Sequence, residues 1–186
     1  MDLIHLLFCI QLHLLVLASR YSHSRFGESR LVMMHTSLRA ERACLHMNYH
    51  YLEPEVAGGL GSHSILDHAG EHLRVTKLHY EFDVWLGDAL LTSHPVYIII
   101  RKGQEALTAA AVCGIEFDDV EITKSQLFED LYPGRELPDF VWMKVQGTAG
   151  QDDFGIANNQ LLVVSDRALE VLEPLGIGNA VKRAYP

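Results

Sequence analysis

The sequence predicts an α+β fold, a mixed or antiparallel sheet with a few short helices packed on it, and three observations lead there. Short apolar or alternating stretches of four to eight residues recur between residues 75 and 164, the length and pattern of strands. Two helical patterns, one rich in alanine and one in leucine, each follow a short aliphatic stretch. Gly, Pro-Gly and clustered polar residues separate the segments, as turns require. A chain of 186 residues, 48% hydrophobic and 21% charged, has the balance of a single globular domain with one good core.

The elements follow in order. Residues 48–56 (NYHYLEPEV) read as a strand that ends, or lies at an edge, at Pro54, which has no N–H for a ladder. Gly58-Gly59-Leu60-Gly61 reads as a turn, and residues 62–74 as a loop of low apolar content. Residues 75–83 alternate, placing Thr76, Leu78, Tyr80 and Phe82 on the core face and Val75, Lys77, His79 and Glu81 opposite. PVYIII at 95–100 is continuous, the mark of a strand buried on both faces. A helix is expected over 102–112, closed by Gly114. The strand 115–122 switches parity between Phe117 and Val120, which predicts a bulge or bend at Asp118-Asp119. SQLFEDLY at 125–132 is a short helix with Ser125 as N-cap, stopped by Pro133-Gly134. A strand over 140–146, a polar loop over 147–159 and a strand over 161–164 come next. A helix over 166–175, capped by Ser165 or Asp166 and stopped at Gly176, precedes a final strand in the tail.

Charge divides the chain. Residues 1–46 hold three acids against five arginines, so of the formal −9 the remainder carries −11. The run LIHLLFCIQLHLLVLA (3–18) is too short and too polar to span a bilayer comfortably and lacks a preceding basic residue. Residues 20–46 show no sustained period, and composition changes at Met47. Residues 1–46 are therefore expected to be a poorly structured extension, with Met47 as the working start and 47–186 as one α+β domain. The alternative is that residues 1–18 act as a secretion signal.

An acidic body repels phosphate backbones and attracts basic partners, so nucleic acid is not the expected ligand. Three cysteines, Cys9, Cys44 and Cys113, make neither a disulfide framework nor a thiolate zinc site; Cys113 reads as a small buried hydrophobe. No Gly-x-Ser-x-Gly elbow, phosphate-binding glycine loop or His-Glu-x-x-His occurs. The metal candidates are His63, His68 and His72, with Asp67 and Glu71 nearby, since imidazole and carboxylate suit zinc. The paired acids read as a solvated face, and Glu116, Asp118, Asp119, Glu121, Asp152 and Asp153 are the expected partner-contact residues.

Three stretches carry a resemblance: LTAAAVCGIEFDDVEI, LFEDLYPGRELPDFVWMKVQG and LLVVSDRALEVLEPLGIGNA. Together they resemble a family of bacterial immunity proteins from polymorphic-toxin systems, long filed as a domain of unknown function. MNYHYLEPEVAGGLGSHSILD looks like the opening of bacterial proteins with this domain, which also favours Met47 as the start. The resemblance implies a cytoplasmic binding protein without cofactor or catalytic residues, neutralising a cognate toxin by direct contact. Neither nucleic acid nor membrane is the expected partner. The rival expectation is a metal-dependent enzyme of unrecognised type using the histidine-rich loop.

Overall fold

The structure, a computed structural model, describes residues 47–67 and 74–186, all within the unit His46–Pro186. The expectations for residues 1–46, and those for His68 and His72, lie outside the described residues. The first strands are β1 (Tyr49–Glu53), β2 (Gly58–Leu60), β3 (Ile65–Asp67), β4 (Arg74–Lys77) and β5 (His79–Phe82). Then β6 (Leu90–Ser93) and β7 (Val96–Ile100) lead into helix α1 (Arg101–Ala109). Strands β8 (Ile115–Asp118) and β9 (Glu121–Lys124) precede α2 (Gln126–Leu131) and β10 (Phe140–Val145). The chain closes with β11 (Phe154–Ile156), β12 (Leu162–Ser165), α3 (Asp166–Leu172), a short 3-10 turn and β13 (Val181–Ala184). This is the α+β class expected.

A central antiparallel sheet, ordered β6-β7-β10-β8, organises the fold. One face carries Leu90, Tyr97, Ile99, Val141 and Met143, which pack with Leu52, Phe154, Leu162 and Val164 and with Leu107 and Leu169 of the helices. Leu52 and the latter strand residues belong to the second sheet, β11-β12-β1-β13. The other face carries Leu91, Val96, Ile98, Phe140 and Trp142 against Leu78, Tyr80, Phe82 and Phe128. Tyr80 and Phe82 come from the third sheet, β2-β5-β9, in which β5 and β9 run parallel. Burial on both faces is why β7 reads as an unbroken apolar run.

Several local expectations are corrected. The glycine run at 58–61 is not simply a turn: Gly58 to Leu60 pair with β5, and a Cβ on Gly58 would lie 2.0 Å from the Glu81 carbonyl oxygen. Glycine is there because two backbones approach closely. The strand 75–83 breaks at Leu78, so that β4 pairs with β3 while β5 joins β2 and β9. The bulge or bend expected at Asp118-Asp119 is a break, where the chain crosses from the central to the third sheet.

Helix α1 stops at Ala109, with Ala111 at φ 51° before Gly114 at φ 88°. Its exposed C-terminal carbonyls are met by Arg167, whose Nη2 donates to the oxygens of Ala110 and Ala111, a long-range C-cap. Ser125 and Ser165 cap α2 and α3 by accepting from the N–H groups of Phe128 and Ala168.

Candidate functional site

Three parts of the surface gather chemistry. The first joins the turn after β2 to β5 and β9. His79 is 3% exposed, although its parity predicted the open side, because the Gly61–Ser64 turn lies over its ring. A Cβ on Gly61 would lie 2.2 Å from its Nδ1, so glycine lets the turn close over the ring. The His63 N–H donates to His79 Nδ1 at 3.1 Å. That donor requires a lone pair on Nδ1, so neutral His79 carries its proton on Nε2 and donates to Thr123 Oγ1 at 2.7 Å. Ser64 ties the same turn to the His79 backbone through both its hydroxyl contacts, 2.9 and 3.0 Å.

The His63 ring stacks on His79 with centroids 4.7 Å apart, and its Nδ1 lies 2.6 Å from Glu121 Oε1. Lys77 Nζ donates to the other Glu121 oxygen at 3.3 Å. The hydrogen bond from His63, aided by Lys77, holds the Glu121 carboxyl below its usual range. Glu121 is thus half-buried and engaged, less open to a partner than the sequence reading supposed. One nitrogen of each histidine and one Glu121 oxygen lie within 4.8 Å of one another. His63 therefore gathers His79 and Glu121, a different set from the His63, His68 and His72 expected.

The second part surrounds Cys113. Asp153 is 3% exposed, which corrects its assignment to the contact surface. Its carboxylate accepts from the Cys113 N–H at 2.9 Å, Ser165 Oγ at 2.7 Å and Arg167 Nη1 at 3.2 Å. The donors come from two other segments, Cys113 and the Ser165–Arg167 junction, so sequence spacing could not reveal them. Asp152 is half-buried and accepts from the Thr148 N–H at 2.7 Å and the Cys113 thiol at 3.4 Å. Cys113 is exposed rather than buried. Local desolvation, with the hydrogen bond to Asp152 and the charges of Asp153 and Asp152, pushes its thiol up to about 11. Such a group is a poor nucleophile.

The third part is the β8 edge of the central sheet. Glu116, Asp118 and Asp119 are exposed there. Asp118 pairs with Lys144, and Gln146 Nε2 donates to Glu116 at 2.7 Å. The Lys144 bond, then the Asp119 N–H, hold the Asp118 carboxyl below its usual range. Lys144 also lies 4.1 Å from the Trp142 ring centroid. A cleft of about 520 Å³, lined by residues including Arg74, Thr76, Trp142 and Lys144, adjoins this edge. A smaller one of about 360 Å³ shares Thr76 and Trp142 and reaches Asp118, Asp119 and Glu121.

Within the string Pro-Gly-Arg-Glu-Leu-Pro (133–138), the arginine makes contacts internal to the fold. Arg135 lies over the rings of Trp85 and Tyr132, 4.6 and 5.0 Å from their centroids, and donates to the Trp85 carbonyl at 2.8 Å. No family model matches the chain, and neither the curated proteins nor the solved structures contain a match. Among the described residues, no helix is long and apolar enough to cross a membrane.

Proposed function

We propose that residues 47–186 form a cytoplasmic, immunity-type binding protein that neutralises a cognate, basic protein toxin by direct contact. The observation that carries this reading is the edge strand β8, where Glu116 and Asp118 are exposed and Asp119 follows at the bend. An open sheet edge offers backbone groups to a partner, and its acids favour a basic one over a second acidic copy. The formal −11 of residues 47–186 acts in the same direction at longer range. Trp142 and the adjoining clefts give the edge apolar and concave neighbours.

The full chain, used as bait in lysate of the source organism at low and then physiological salt, tests the reading. A single stoichiometric basic partner whose toxicity the chain suppresses is the expected result. Absence of any such partner in both salts would overturn it.

A further inference from the structure

We propose that His63, His79 and Glu121 form a binding site for a divalent transition-metal ion, zinc being the best match for two imidazoles and a carboxylate. The three residues come from three elements: the turn after β2, strand β5 and strand β9. In the parallel register His79 stands opposite Glu121, so two ligands are placed by sheet pairing. The third is delivered by the Gly61–Ser64 turn, itself fixed by the Gly61 N–H to the His79 carbonyl at 2.7 Å. Ligand atoms within 4.8 Å of one another come to surround one ion when the His63 ring turns out of its stack on His79.

Outer contacts favour the same conclusion. A metal-bound histidine ordinarily donates its remaining N–H to a fixed acceptor. Thr123 Oγ1 already plays that part for His79 at 2.7 Å. This leaves Nδ1 as the ligating atom. Nδ1 now accepts from the His63 N–H, the backbone of the residue that supplies the second imidazole. One adjustment of that turn therefore frees Nδ1 and turns His63 toward the ion. For His63 the ion takes the position of the proton on Nδ1 that faces Glu121, and the proton moves to Nε2. Lys77 opposes a cation by its charge, but its ammonium is solvated and bonds the outer Glu121 oxygen, as a supporting donor to a ligating carboxylate does. Three protein ligands and an exposed His63 leave a coordination position open to water.

The experiment uses the full chain, stripped with a chelator and titrated with Co²⁺ at neutral pH, with visible absorption as readout. Zn²⁺ then competes for the bound Co²⁺, and thermal unfolding checks that each variant folds. The expected result is one equivalent of low-symmetry Co²⁺ absorption, displaced by Zn²⁺ and abolished in Glu121→Gln and in His63→Asn. Thr123→Val, which removes the acceptor of His79 Nε2–H, should weaken binding by about 10- to 100-fold. His94→Asn, at an exposed histidine elsewhere, should leave binding unchanged. A band that persists in folded Glu121→Gln and His63→Asn proteins, or its absence from the wild-type chain, would overturn the proposal.

Discussion

Asp118-Asp119 and Asp152-Asp153 are the same dipeptide with different fates. The first lies exposed where the chain leaves the central sheet. In the second, Asp153 is buried among the N–H of Cys113, the hydroxyl of Ser165 and the guanidinium of Arg167. What separates them is the supply of donors. A carboxylate can enter the interior when fixed donors meet it there. Asp118 has a single lysine and its neighbour's N–H, both at the surface.

The largest expected effect falls on the buried member of the comparison. Asp153→Ala strands three donors at once and removes the anion beside Arg167. It should cost about 3 kcal/mol of stability, measured by urea denaturation; a loss no greater than that of a surface substitution would show that Asp153 holds nothing together. Glu55 extends the same logic. It is buried and accepts from the N–H groups of Leu86 at 2.6 Å and Asp88 at 3.0 Å. Glu55→Ala should cost about 2 kcal/mol in the same assay.

These two residues show where the sequence is legible and where it is not. The acids themselves, the helix caps Ser125 and Ser165, the doubly buried β7 and the break at Asp118-Asp119 all follow from local pattern. Which acids are inside does not, because the donors for Asp153 lie 40, 12 and 14 residues away. His79 was misplaced for a related reason. Alternation assigns one open face to a strand, yet the Gly61 turn covers that face of β5. The glycine run at 58–61 was the available signal, since close backbone approach needs glycine as much as a turn does. Strand β6 carried an apolar pair, Leu90-Leu91, too short to stand out before its pairing with β7 was visible.

Cys113 sharpens the comparison chemically, because local desolvation, with the acids beside it, suppresses its reactivity. With the thiol at about 11, alkylation of Cys113 at pH 8, followed by peptide mapping, should be roughly 100-fold slower than in the unfolded chain. Asp152→Asn removes a negative charge beside the thiol, so alkylation should speed up in a protein that remains folded.

The smallest effect concerns the exposed acids. Asp118, Glu121 and Asp166 are held below the usual carboxylate range, chiefly by hydrogen bonds from Lys144, His63 and His50 respectively. A depressed folded pKa adds stability that is fully present above the unfolded value, near 4, and is lost as pH falls through the lower folded value. Unfolding midpoints of the wild-type chain and an Asp118→Asn/Asp166→Asn variant should therefore differ slightly at pH 7 and converge as the pH falls through the lowered carboxyl range. Water screens these sites, so the difference is small.

The central claim is that the exposed acids meet a basic partner while the buried ones hold the fold. Its most direct test is the association rate with the captured partner, measured against ionic strength for the wild-type chain and for Glu116→Gln/Asp118→Asn/Asp119→Asn. The account expects association to slow by about 3- to 10-fold at low salt and its salt dependence to flatten, with thermal stability nearly unchanged. An unaltered rate and salt slope in the folded variant would contradict it.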